Sequence, residues 1–162
     1  MSLVLEKLNG YKEGTFFTPD FITMYMSRET LRRIVVNTCK TNFEINANNF
    51  EEIQHFCKNL NAADLAKANE LINSITICDP AVGSGHFLVA ILNELLVIKS
   101  ELGILCDLQG ESISKEISLV IENDELVIYD KLGLQFSYKL SFDNGFRKLV
   151  PELQRIQEAI FH

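Results

Sequence analysis

The sequence has no apolar run approaching the roughly 20 residues that cross a bilayer. Its first residues, Met1-Ser2-Leu3-Val4-Leu5-Glu6-Lys7, lack the layout of a signal peptide. A soluble, cytoplasmic location is expected. The cysteines Cys39, Cys57, Cys78 and Cys106 form no Cys-x-x-Cys pair and have no His cluster of zinc-finger spacing beside them. They read as reduced structural thiols. His55 and Cys57, two positions apart on one expected helix, read as packing and surface before they read as metal ligands. There are no internal repeats and no low-complexity tracts. Cationic charge is also short, with a net charge of -7. Affinity for a phosphate backbone comes largely from Lys and Arg that displace counterions, so this balance argues against the chain itself gripping nucleic acid.

What is present is the composition of one folded unit. The 162 residues are 47% hydrophobic and 23% charged, and a chain of this size buries about 70% of its unfolded surface. Residues 1–74 are expected to form a helical N-terminal layer. Thr18-Pro19-Asp20 has the signature of a helix start, with Thr18 as cap, Pro19 in the first turn and Asp20 against the positive end of the dipole. The helix should run to about Cys39, burying Phe21, Ile22, Tyr25, Met26, Leu31, Ile34 and Val35, with a kink or restart at Ser27-Arg28-Glu29-Thr30. Further helices are expected from Phe50 to Leu60 and from Ala62 to Asn73.

Residues 75–102 read as strand, tight loop and buried helix: Ile75-Thr76-Ile77-Cys78, a glycine loop, then His86 to Ser100. That order opens a βαβ unit of a doubly wound sheet, so the fold class is α/β. Residues 103–150 change character. Ile117 to Ile121, Leu126 to Tyr129 and Leu134 to Leu140 read as a three-stranded antiparallel meander. A βαβ unit does not need one after its first helix, so it is read as an insertion. A helix from Pro151 to Phe161 closes the chain, in residues 151–162.

The loop Asp79-Pro80-Ala81-Val82-Gly83-Ser84-Gly85-His86-Phe87 carries the chemistry. Glycines at a strand end let backbone approach a ligand, and the following helix offers unpaired N–H groups to an anionic end. A phosphate-cradling Walker loop needs Lys after the last glycine, where this chain has His86. The dinucleotide fingerprint needs a third small residue, where this chain has Leu88. An amino-acid moiety remains, its ammonium drawn to Asp79 and its carboxylate to the Gly83–Gly85 backbone, and S-adenosylmethionine carries one without phosphate. The same spacing also fits a purely structural strand-to-helix turn.

Asp79-Pro80-Ala81-Val82-Gly83-Ser84-Gly85-His86-Phe87-Leu88 resembles the cofactor-loop motif of adenine-specific DNA methyltransferases, in particular those fused to nucleases in type IIG restriction-modification enzymes. Gly14-Thr15-Phe16-Phe17-Thr18-Pro19 resembles the same family's second cofactor motif, and the order and separation of the two match. The resemblance implies a partial, Rossmann-like methyltransferase fold. It also implies S-adenosylmethionine as cofactor, held by Gly14, Thr15, Phe17, Thr18, Pro19, Asp79, Pro80, Ala81, Gly83, Ser84 and Gly85, and DNA as the partner of the parent protein. The family's catalytic element needs two consecutive prolines before an aromatic residue, and Pro19, Pro80 and Pro151 are all isolated. The family's ribose-binding acid is missing as well, because Asp107 reads as part of a turn into the insertion. No Glu has Lys two positions later, as the common nuclease element requires, and His55, His86 and His162 lack triad context. The chain is therefore expected to be an N-terminal fragment with no catalytic or metal site, inactive alone. The alternatives are a noncatalytic interaction module with a structural glycine turn, and a fragment of a small-molecule or RNA methyltransferase.

Overall fold

The computed structural model describes residues 18–106, 112–123 and 125–135. Among them the fold is mixed α/β, with four helices followed by a two-stranded antiparallel sheet: α1 Asp20–Asn42, α2 Phe50–Cys57, α3 Ala62–Asn73, α4 His86–Leu102, β1 Ile117–Glu122 and β2 Glu125–Asp130.

Helix α1 starts one residue later than expected. Pro19, with φ -56° and ψ 143°, is the N-cap, and Thr18 does not cap the helix. The Pro19 carbonyl accepts the N–H groups of Ile22 (3.0 Å) and Thr23 (3.1 Å), which opens the first turn. The helix runs through Ser27-Arg28-Glu29-Thr30 without a break and continues to Asn42. Side chains that bond back onto the helix carry it past Cys39: Thr41 Oγ1 donates to the Asn37 carbonyl and Asn42 Nδ2 to that of Thr38.

The buried face of α1 differs from the expected one. Leu31 and Val35 are inside, but Phe21 is 71% exposed, Tyr25 66%, and Met26 and Ile34 also face solvent. In the first two turns the buried side chains are Thr23 and Ser27. Small residues let α1 lie close along α4 there, and a large side chain at either position would hold the helices apart.

Helix α4 is the central element. One side joins Leu31, Val35 and Cys39 of α1 with Ile53 of α2 and Ile72 of α3, through Ile98 and Leu102. The other side, through Leu96 and Val97, joins Leu105, Ile113, Ile117, Leu119 and Ile128. The Leu119 N–H donates to Ser100 Oγ (3.0 Å), tying β1 to α4. The hairpin register pairs Ile117 with Asp130 and Glu122 with Glu125. Asn123, with φ +50°, takes the left-handed conformation of the tight turn between them.

The expected first strand is not a strand. Ile75 and Ile77 are half-buried while Thr76 and Cys78 are exposed, so the period-two alternation is there. No neighbouring strand completes a ladder, and no parallel sheet occurs among the described residues. A strand is defined by its partner, so an alternating segment without one stays extended chain. Two strands of the meander are present. A bridge between Tyr129 and Gln135 is where a third would begin. Residues 136–140 and the expected helix from Pro151 to Phe161 lie outside the described residues.

Candidate cofactor site

The segment after Cys78 leaves the core as two tight turns. Asp79 Oδ1 accepts the N–H of Ala81 (2.9 Å), folding the chain at Pro80. The Gly85 N–H donates to the Val82 carbonyl (2.7 Å), closing the second turn. Gly83 (φ +51°) and Gly85 (φ +78°) are both in the left-handed region, where a Cβ strains the backbone by about 1–2 kcal/mol. A Cβ at Gly85 would meet nothing within 4 Å. The glycine thus answers to its dihedral angles, and open space lies before it. Pro80, Ala81, Gly83 and Ser84 are exposed, while Asp79 and Gly85 are half-buried.

Helix capping separates this end of the molecule from the rest. Helices α2 and α3 close their own N-termini: Asn49 Oδ1 accepts the Glu52 N–H (2.9 Å) and Asn61 Oδ1 the Asp64 N–H (3.0 Å). Helices α1 and α4 begin at Pro19 and Gly85 with no side-chain cap. The N–H groups of an uncapped first turn lack intrahelical acceptors, and the helix dipole there favours an anion.

These two uncapped ends meet. His86 Nε2, shielded from solvent, lies 2.8 Å from Asp20 Oδ1. The approach is off the line of a good hydrogen bond, so the contact is a close polar one between imidazole and carboxylate. The structure therefore brings Thr18 and Pro19, both exposed, to the same end of the molecule as the glycine loop. Gly14, Thr15 and Phe17 lie outside the described residues, as does Asp107. Asp20 and His86 were not among the expected site residues. Asp20 directly follows Thr18-Pro19, and His86 stands inside the loop motif directly after Gly85, and that placement was the available signal.

Further along the same helix pair, Arg32 links α1 to α4. Its Nε is 3.0 Å from Glu94 Oε1 and its Nη2 is 2.9 Å from Glu101 Oε2. Its guanidinium also covers the Phe50 ring at 4.4 Å. Burial pushes the Glu94 carboxyl above the ordinary carboxylate range, against the opposing pull of Arg32 and Arg28. An open cleft of about 600 Å³ runs along Tyr25, Arg28, Arg32, Asn49 and Phe50. It is away from the glycine loop, and Arg32 and Arg33 in it are already matched by Glu94, Glu101 and Glu29.

The cysteines behave as separate thiols. None of the four is in a disulfide, and Cys39, Cys57 and Cys106 are buried. Burial pushes the Cys39 thiol up to about 11 and the Cys57 thiol up to about 12. His55 is exposed while Cys57 is buried, and no group of three or more metal-ligating side chains occurs among the described residues. Cys78, exposed and next to Asp79, should be the first thiol to react with iodoacetamide in the native protein. Peptide mass spectrometry would show this, and labelling of Cys39 or Cys57 ahead of Cys78 would contradict the burial described.

A protein of Methanocaldococcus jannaschii (strain ATCC 43067 / DSM 2661 / JAL-1 / JCM 10045 / NBRC 100440) is 32% identical to this chain over 135 residues. It is named "Putative type II restriction enzyme and methyltransferase". The similarity is to a methyltransferase by name. The aligned part is 76% of this chain and 11% of that protein, so most of the relative has no counterpart here. No family model matches the chain, and no solved structure does. No helix among the described residues is long and apolar enough to cross a membrane.

Proposed function

We propose that this chain is the S-adenosylmethionine-binding part of a DNA methyltransferase that acts on the exocyclic amine of adenine in a restriction-modification system. The observation that carries the reading is the meeting of two uncapped helix N-termini. Asp20 and His86 join them at 2.8 Å, Asp20 directly after Thr18-Pro19 and His86 within the loop motif directly after Gly85. The 32% identity to a protein named as a restriction enzyme and methyltransferase supports it.

The residues present suit the methionine end of the cofactor. Gly83 and Gly85 keep the loop bare, and the open first turn of α4 offers N–H groups to a carboxylate. One oxygen of Asp79 holds the Ala81 N–H, and the carboxylate as a whole supplies the negative charge an ammonium group seeks. Thr18 and Pro19 flank the site from the start of α1. When bound, the cofactor supplies an activated methyl group. These residues orient it and make no covalent step themselves. Base flipping and alignment of the adenine amine belong to parts of the parent protein beyond these motifs.

Isothermal titration calorimetry with S-adenosylmethionine should give saturable heat for one site per chain, and ATP and NAD should give none. Absence of heat with S-adenosylmethionine, or equal heat with all three, removes the assignment. A second reading, a noncatalytic interaction module, takes its support from the exposed apolar side chains Phe21, Tyr25, Leu88, Val89 and Leu92. It predicts no saturable binding of any of the three ligands.

A further inference from the structure

We infer that Asp20 and His86 are positioning residues, a clasp that sets the gap between the two halves of the cofactor site. The inference rests on the cofactor reading above, and its argument is the weakness of everything else that holds the start of α1. In the first two turns of that helix the buried side chains are Thr23 and Ser27, and the Ser27 hydroxyl has no hydrogen-bond partner. Thr23 Oγ1 turns back to the Pro19 carbonyl of its own helix, at 3.4 Å. Phe21, Tyr25 and Met26, which would anchor the segment by burial, face solvent. Ile22 and Met24 are only half-buried, so less apolar area is removed from water here than around Leu31 and Val35, and the hydrophobic effect holds this end more weakly.

The next polar tie between the helices is Arg32 with Glu94 and Glu101. That lies roughly 18 Å further along α1 at 1.5 Å per residue. Only beyond Thr23 and Ser27 do large apolar residues, Leu31 and Val35, enter the core. Thr18 and Pro19 are thus carried on a helix end whose position against α4 is fixed chiefly at Asp20 and His86. A ligand that must touch both the Thr18-Pro19 turn and the Gly83–Gly85 loop needs that gap set before it binds. Releasing the clasp spreads α1 over more positions, and the apparent affinity falls by the fraction that remains competent.

The test compares Asp20→Ala, His86→Ala, the double variant, Asp20→Asn and His86→Gln by calorimetry with S-adenosylmethionine and S-adenosylhomocysteine. If one position in ten remains competent, each alanine variant binds both ligands about tenfold more weakly. The double variant should be no weaker than either single, since both break one contact. Asn at 20 and Gln at 86 each keep a polar group of similar reach at the contact, so each should recover part of the loss. Unchanged affinity in the alanine variants, losses that multiply in the double, or no recovery with Asn and Gln overturns the clasp. If the unmodified chain gives no heat, the proposed function falls and the clasp is judged by hydrogen exchange instead. Asp20→Ala should then speed exchange of the amides of residues 22–27 and leave residues 31–39 unchanged. Equal exchange in both stretches overturns it.

Discussion

Replacing Arg32 with methionine is expected to destabilise the protein by about 3–5 kcal/mol at neutral pH, the cost of leaving a buried charge without its partner. The Glu94 side chain is 6% exposed and the Arg32 side chain 16%. Water cannot take over the role of the guanidinium at 3.0 Å. Methionine is the informative choice because it keeps an apolar stem and a polarisable end against Phe50. The loss then reports on charge and not on a cavity. Glu101 also loses a partner, but its side chain is 31% exposed and can be hydrated.

The pH dependence has a definite sign. Burial already holds the folded Glu94 carboxyl above its ordinary range, with Arg32 as the leading opposing influence. A carboxyl whose folded value lies above its unfolded one contributes stability that is complete below the unfolded value and is lost as pH rises through the folded one. Removing Arg32 raises the folded value further and widens that window upward. The deficit of Arg32→Met relative to the unmodified protein should therefore be largest at neutral pH and above, where Glu94 is ionised. It should shrink as the solution is acidified through the raised Glu94 value. Adding Glu94→Gln removes the stranded charge and should recover most of the loss at neutral pH. Urea unfolding of the three proteins at neutral and acidic pH measures this. A deficit that is constant with pH, or that Glu94→Gln fails to relieve, would show that Arg32 acts through packing alone.

The parts of this molecule that were legible in the sequence are those whose causes are local. Helices α2 and α3 start where Asn49 and Asn61 accept N–H groups from residues three positions on. The hairpin turns at Asn123, a residue that tolerates positive φ. The misreadings come from causes outside the local window. Phe21 and Tyr25 have helical spacing and still face solvent, because apolar character does not by itself name the surface that would cover it. The segment Ile75–Cys78 alternates as a strand does, but a ladder is a property of two segments. Asp20 and His86 were read as a dipole complement and as part of a loop. Neither residue alone announces a contact between helices far apart in the chain.

Gly85→Val should cost the protein about 1–2 kcal/mol of stability and weaken S-adenosylmethionine binding about a hundredfold, two steps of 1.4 kcal/mol. The two effects have separate origins. At φ +78° a β-branched residue is strained whatever surrounds it. No atom stands within 4 Å of the added Cβ, so no clash in the free protein adds to that strain. The corresponding fall in melting temperature is about 2–8 °C, and the chain stays folded. Binding suffers more because the new methyl groups enter the open space before the loop, where the proposed ligand would meet the backbone. Gly133 supplies a matched control. It has φ +74°, equally open space around a Cβ, and a place in the turn after β2 that no site motif shares. Gly133→Val should show the same thermal shift and undiminished calorimetric binding. Comparable loss of binding in both variants would assign the effect of Gly85→Val to strain spreading through the fold. Retained binding in both would return the glycine loop to a structural turn.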